Sequence, residues 1–471
     1  MLTRTSTQSL TGQLADRLAE RIRTRLLPPG ARLPSVRECA RQQGVSPYTV
    51  VAAYDQLLAQ GLVEARRQRG FYVRDSAPAQ EGRPSNAAPM VVQMMASRVP
   101  ADASSLIRSM FHRPSDKPQP GMGVFPPDWM ASAFMPTAVR RMTSTAALQE
   151  LSLQYGEPSG DAALRRSLSN KLVGINVPAA PDQIVTTVGA THALDIVSRT
   201  LLRAGDPVMV EEPGWALEFA RLEALGMRIL PVPRRADGPD LEVMAQYCQL
   251  HSPKLFVSVS VLHNPTGYSL TPGSAHRVLK LANEHDFHIV EDDTYSHLAP
   301  EHATRLSALD GLQRTIYVSG FAKILAPNWR IGFLAASPEL KERLLETKLL
   351  ATLTTPTLFE RALSWCIDQG QLRRHAERIR IRLDGARGRA VKLAMAHGCS
   401  FASEPAGLFG WVDTGVDTDA LTQRMLDQGY LLAPGSLFHA RRPPSTMMRI
   451  NFATSQDAAF WKVFSKVRAE L

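Results

Sequence analysis

Five short runs of branched and apolar residues, at 184–188, 208–210, 255–259, 288–290 and 315–318, do most to limit what this chain can fold into. None alternates apolar with polar, so each reads as a strand buried on both faces. Segments long enough for a helix lie between consecutive runs. Strands covered on both faces and joined through helices make a largely parallel sheet, so an α/β domain is expected. Ligands in such folds sit beyond the carboxyl ends of the strands. The candidate positions are therefore those where the runs end: Gly189, residues 211–215, residues 263–267, Asp292 and Lys323.

With 471 residues the chain is too long for one ordinary core, and 44% hydrophobic with 21% charged residues suits a soluble globular protein. No apolar run approaches the eighteen or so residues needed to span a bilayer, and no apolar signal core precedes Gly12. A cytoplasmic protein without a membrane segment is expected. Cys39, Cys248, Cys366 and Cys399 are scattered, so neither a disulfide framework nor a metal site is expected. The net charge of +10 is uneven: residues 1–75 hold twelve arginines against six acidic residues. A small basic module at one end is the electrostatic footprint of a polyanion reader.

Within that module Leu10, Leu14, Leu18 and Ile22 recur every four residues and line one face of a helix. Pro28, Pro29 and Gly30 end it. Ser35, with Glu38 three residues on, caps a second helix as a capping box. Gly44 breaks that helix, and Ser46 caps a third that buries Val50, Tyr54, Leu57 and Leu58. Residues 62–64 and 71–73 read as two strands, with Arg66, Arg67 and Arg69 at the tip between them. The order is helix, helix-turn-helix, wing. In a DNA reader of this shape the early residues of the third helix, Ser46, Tyr48 and Thr49, enter the major groove. Capped helix starts, here with Ser35 and Arg37, face phosphate, and the wing arginines reach the backbone or minor groove. A protein-binding three-helix module with a solvated arginine face is the alternative.

The strings Gly30-Ala31-Arg32-Leu33-Pro34-Ser35-Val36-Arg37, Gly44-Val45-Ser46, Thr49-Val50 and Gly61-Leu62-Val63 resemble the GntR-type winged helix. The resemblance implies double-stranded operator DNA as a partner. Pro47 departs from it, standing where the family usually has a basic or polar residue. After residue 75 the composition shifts to Ala, Pro, Ser, Gly and Gln, which reads as a tether over 76–114, semi-stiff at its prolines. Met94, Met95, Leu106 and Ile107 in it could form a short docking helix.

In the large part, 115–471, a lysine after a strand can condense with an aldehyde when its surroundings free the amine; alone, Lys323 is one lysine among many. Asp292 could hold a pyridine nitrogen protonated or simply cap a helix. Gly189-Ala190-Thr191 opens a helix whose N–H groups could cradle phosphate, or is a tight turn. Trp215 could stack on a ring or fill core. Asn264, within Asn264-Pro265-Thr266-Gly267, is otherwise a turn residue. Arg449, in Met448-Arg449-Ile450-Asn451-Phe452, has the planar fork that suits a carboxylate, or forms a structural ion pair.

Together these separated segments, in this order, resemble a fold-type I aminotransferase, and with the head they resemble the MocR group of regulators. The resemblance implies a mostly parallel large domain (about 125–350), a smaller C-terminal α+β part (about 351–471) and pyridoxal 5′-phosphate as cofactor. It gives Lys323 the Schiff base with the cofactor. Asp292 takes the ring nitrogen, and Tyr295 and Asn264 the ring oxygen. Trp215 takes the ring face, and Gly189, Ala190, Thr191 and Arg330 the phosphate. Arg449 takes the α-carboxylate of an amino acid. Tyr155 would reach the phosphate of a neighbouring subunit, which implies a homodimer. Gly320 stands where many relatives carry a hydroxyl, and His192 where the family often has a neutral polar residue. Arg373, Arg374, Arg378, Arg380 and Arg382 read as a solvated helix face, with a second DNA contact as the alternative.

Three functions follow from this reading. The chain is a cofactor-dependent regulator sensing an amino acid or amine through Lys323, a working aminotransferase with a DNA-binding head, or a cofactor-free dimeric regulator. The complete cofactor set argues against the last. A metabolic enzyme gains nothing from a winged helix, which argues against the second as sole role.

Overall fold

The four-residue spacing of Leu14, Leu18 and Ile22 produces the first element. In the computed structural model, which describes residues 9–23, 27–66, 69–74, 116–144, 148–149 and 153–471, helix α1 (Leu10–Arg23) buries those three with Ala15 and Ala19. Helix α2 (Val36–Gln43) starts at Ser35, whose Oγ accepts the Glu38 N–H at 3.3 Å. The Glu38 carboxylate does not close the expected box; it accepts from the Gln42 amide at 3.4 Å. Gly44, at φ +65, ends α2 in the left-handed conformation that costs glycine nothing. Helix α3 (Pro47–Ala59) follows, burying Val50, Ala53, Tyr54 and Leu57. Pro47 occupies its first turn, where the ring presets φ and the missing N–H has no helical partner to lose.

Strands β1 (Val63–Arg66) and β2 (Gly70–Val73) pair antiparallel, with Glu64 opposite Tyr72 and Arg66 opposite Gly70. Tyr54 ties α3 to the β1–β2 hairpin: its ring meets Phe71 edge-on at 5.0 Å, and its hydroxyl donates to Pro34 O at 2.9 Å. Truncating a fully buried residue such as Leu57 to Ala would cost about 2–5 kcal/mol. Arg67 and the tether 76–114, with Met94, Met95, Leu106 and Ile107, lie outside the described residues.

The chain separates into two compact units. One holds residues 1–117 with 419–431; the other holds 118–418 with 432–471. The second unit is built on a seven-stranded sheet: β3 (Ile184–Thr187), β4 (Pro207–Glu212), β5 (Arg228–Pro233), β6 (Leu255–Ser258), β7 (His288–Asp292), β8 (Thr315–Gly320) and β9 (Gly332–Ala335). Their spatial order is β3-β9-β8-β7-β6-β4-β5. Neighbours from β8 to β5 run parallel, while β9 runs antiparallel to both β8 and β3. The five runs of branched residues are all in this sheet, with β5 and β9 added. β5 is an edge strand, which is why it tolerates Pro231 and Pro233.

Helices cover both faces. Val185, Val210, Val257, Val290 and Val318 pack with the helix Ala190–Leu201 in one cluster, and Met209, Phe256 and Ile289 pack with the helix Pro272–His285 in the other. A smaller antiparallel sheet, in the order β10 (Ser400–Phe401), β11 (Phe409–Asp413), β13 (Met447–Asn451), β12 (Ala433–Pro434), carries Arg449. Among the described residues no helix is long and apolar enough to cross a membrane.

Candidate functional site

The parallel strands deliver their carboxyl ends to one rim. Lys323 follows β8 by three residues, and its Nζ donates to Gly123 O at 2.8 Å. Burial lowers this ammonium to about 8, from the ordinary 10.5; the Arg449 charge adds to the shift and the Asp292 carboxylate opposes it. About a tenth of it is therefore the free amine at neutral pH, against about one part in three thousand for an ordinary lysine, and nucleophilic attack on an aldehyde requires that form.

Asp292 ends β7. Its Oδ1 accepts the Thr294 N–H at 3.1 Å and the Thr294 hydroxyl. Burial pushes its carboxyl up to about 6, and the Glu218 carboxylate pushes the same way. Its neighbour Asp293 points elsewhere, accepting from Arg305 Nε at 2.6 Å and the Tyr317 hydroxyl at 2.9 Å, all three buried. Period-two alternation along the strand end separates the two: one carboxylate faces the rim, the other the core.

Tyr295 is buried, beside the Asn264 side chain and set edge-on to Phe409 at 5.6 Å. Burial raises its phenol, which stays protonated at neutral pH. Arg449 is 1% exposed. Its Nη1 donates to Asn264 Oδ1 at 3.1 Å and its Nη2 to Gly121 O at 2.6 Å, while Nε is buried with no hydrogen-bond partner among the described residues. The guanidinium lies 4.4 Å from the Phe409 ring centre, 5.1 Å from Phe438 and 5.6 Å from Trp215. Burial lowers its charge affinity to about 10. Trp215 also lines a cavity with Asp292, Glu218 and His263.

Residues 120–124 form a strap over these groups. Gly121 O meets Arg449 and Gly123 O meets Lys323. The carbonyls of Met122 and Val124 accept from Asn451 Nδ2 at 2.9 and 2.8 Å, and Pro120 O accepts the Asn451 N–H at 2.9 Å. A Cβ at Gly121 would fall 2.4 Å from the Leu432 carbonyl carbon, so no other residue fits there. Sequence reasoning missed this strap; its one signal was a pair of glycines two apart.

At the far end, Gly189 precedes the helix Ala190–Leu201 with φ +84, so Ala190 and Thr191 open that helix. A Cβ at 189 would fall 2.6 Å from Arg330 Nη2, which donates to Val188 O at 3.1 Å. Arg330 thus lies over a helix start, the setting for an anion. His192 Nδ1 accepts the Val188 N–H at 3.0 Å, which puts its proton on Nε2, a buried donor without a partner among the described residues; burial favours the neutral ring. A Cβ at Gly320 would lie 3.3 Å from Ala190 N, whereas Ser319 donates to Asp293 O at 2.9 Å. The hydroxyl one residue off does not replace the missing one.

The donor set fits pyridoxal 5′-phosphate. It offers an amine for the aldehyde, a carboxylate for the ring nitrogen, a phenol with an amide for the ring oxygen, and an arginine over a helix start for phosphate. The cradle at 189 is one that any Cβ would fill. Tyr155 is 83% exposed and joins none of these contacts within the described chain.

In the head, Ser46 Oγ accepts the Thr49 N–H at 3.1 Å and bonds the Thr49 hydroxyl at 2.9 Å. Both hydroxyls take part in the cap, while Tyr48 is 82% exposed and Val51, which sequence reasoning passed over, 42%. Arg37 and Arg69 are exposed. Arg66 bonds Glu64 at 2.8 Å and lies 4.5 Å from the Tyr72 ring centre. The arginine-rich helix, Gln371–Ala396, sends Arg382 to Asp128 at 2.6 Å and over Trp129.

Residues 124–464 match the family described as "Aminotransferase class I and II". The chain belongs to this family. Residues 10–73 match "Bacterial regulatory proteins, gntR family", and the combination is the MocR-type architecture. The chain is 29% identical to an "Uncharacterized HTH-type transcriptional regulator YdcR" of Escherichia coli over 94% of both chains. It is 29% identical to a "Probable rhizopine catabolism regulatory protein MocR" of Rhizobium meliloti, covering 78% of this chain and 73% of that one. Among solved structures, Pyrococcus horikoshii kynurenine aminotransferase, crystallised with PMP, is 26% identical with a TM-score of 0.70, over 80% of this chain and 95% of that one. The family's cofactor, pyridoxal phosphate, is thus assigned to this MocR-type chain.

Proposed function

We propose that this chain is a pyridoxal phosphate-dependent transcription regulator that binds operator DNA and senses an amino acid or amine through Lys323. The observation that carries the reading is the coexistence, in one chain, of a complete winged-helix head and a complete donor set around Lys323. The bound cofactor supplies an electrophilic carbon and an electron-withdrawing ring. Lys323 holds it with the free amine that burial maintains. Asp292 keeps a proton at the ring nitrogen, Tyr295 and Asn264 orient the ring, and Trp215 covers one face. Arg330 and the start of the helix Ala190–Leu201 anchor the phosphate. Arg449 takes the carboxylate of an amino acid; an effector amine without one forgoes that contact.

Arg449 also favours a second reading, residual transamination, because a carboxylate fork serves an enzyme equally well. The high exposure of Tyr155 supports a homodimer in which it reaches the neighbouring subunit's phosphate. The deciding experiment is spectroscopic. The purified protein should show the visible absorbance of the lysine-linked cofactor, and Lys323→Ala should abolish it. Absence of the band, with no effect of the substitution, would leave a cofactor-free regulator. With the band present, multiple turnover between an amino acid and a 2-oxo acid would establish the enzyme, and operator binding altered by the amino acid would establish the sensor.

A further inference from the structure

We propose that the exposed ridge of Tyr48 and Val51 on α3 reads the 5-methyl groups of thymine in the major groove of duplex DNA. The proposal rests on the DNA-binding reading above and names what that surface recognises.

Positions 47, 48, 51 and 55 lie on one side of α3, with 51 three or four residues from each of the others, and all four are exposed. Three of them, Pro47, Tyr48 and Val51, are uncharged and mainly apolar; the fourth, Asp55, carries the sign that phosphate repels and marks where the contact ends. The hydroxyls of Ser46 and Thr49 are tied to each other and to the helix cap. The first two turns therefore present no fork of the kind that reads guanine or adenine through paired hydrogen bonds. Only one base carries an apolar group into the major groove, the C5-methyl of thymine. A valine and an aromatic ring one turn apart are shaped to cover such methyls on neighbouring base pairs.

The occupant is duplex DNA rather than an apolar protein surface because the unit that carries the ridge is rich in exposed cations. Arg37 and Arg41 on α2, and Arg69 and Arg74 on the wing, are all exposed. Large apolar side chains standing out of a small basic unit are costly in water unless a partner covers them, and this unit's charge selects a polyanion.

The test uses the full-length chain and a DNA pool selected by it from random duplexes. The selected pool is then amplified with either thymidine or deoxyuridine triphosphate, which differ only in the major-groove methyl. The uracil pool should bind roughly fourfold more weakly for each covered methyl that is removed. Its salt dependence should be unchanged, because every phosphate stays where it was. The double variant Tyr48→Ala, Val51→Ser should bind the two pools alike; both side chains are exposed, so the head's core stays intact. Equal binding of the two pools by the unsubstituted chain overturns the inference while leaving the DNA reading in place. So does a double variant that keeps both DNA affinity and the preference for thymine, and a changed oligomeric state in that case would mark the ridge as a protein contact. Failure of any pool to enrich removes the DNA reading itself, and this inference with it.

Discussion

Arg449 Nη1 donates to Asn264 Oδ1 at 3.1 Å, and the same asparagine stands beside the Tyr295 phenol. The carboxylate fork thus bonds one candidate partner of the ring oxygen and neighbours the other, so an anion reaching the arginine also perturbs what holds the ring.

Arg449→Lys keeps the charge and loses the planar fork. The apparent affinity for amino acids should fall about ten- to a hundredfold, the range expected for one or two charge-assisted hydrogen bonds. Amines lacking a carboxylate should bind as before. Spectral titration of the cofactor-loaded protein with an amino acid and with its decarboxylated counterpart measures both.

Loading of the cofactor-free protein should depend on pH through Lys323. Its amine is lowered to about 8, so the reactive neutral form grows about tenfold per unit below that pH and levels off above it. Stopped-flow mixing with pyridoxal phosphate should give a rate that climbs to about pH 8 and then flattens. A rate still climbing near lysine's ordinary value would show that the amine is not held as described.

Asp292 and Asp293 should separate cleanly. Asp293→Ala strands the buried Arg305 charge and should destabilise the fold by about 3–5 kcal/mol, seen as a lower midpoint of thermal unfolding. Asp292→Asn is isosteric at the rim. It should leave the unfolding midpoint of the cofactor-free protein nearly unchanged while weakening cofactor retention and altering its spectrum. Equal thermal effects would contradict the division of labour between these adjacent carboxylates.

Replacing Arg66, Arg67 and Arg69 with Ala should weaken operator binding and flatten its salt dependence. The slope of log affinity against log salt should fall by roughly 0.9 for each phosphate that is no longer neutralised. Fluorescence anisotropy across a salt series checks this, and an unchanged slope would remove the wing from the interface.

Much of this is legible in the sequence alone. Buried parallel strands announce themselves because both faces must be apolar, and rim residues follow because strands end where apolar runs end. Lys323, Asp292 and Asn264 are found that way. β9 is not, since Gly332–Ala335 holds no β-branched residue and opens on a glycine soon after a turn. Phe409 and Phe438, which enclose Arg449, come from segments that no local pattern links to a strand end. The glycines at 121 and 123 carry no signal of their own because their purpose is close approach to a distant segment, and spacing along the chain cannot express that. In the head the reverse holds: Ser46 and Thr49 are legible as reader residues by position, yet their hydroxyls are engaged in the cap and the exposed chemistry belongs to Tyr48 and Val51.

The strap has one more consequence. Gly121 O occupies the Arg449 Nη2 that an incoming carboxylate would need, so ligand entry is an exchange rather than a filling. The tighter the main chain holds that donor, the higher the concentration at which the newcomer prevails. The stretch 120–124 thus acts as a resident competitor, and its grip sets the threshold of the response.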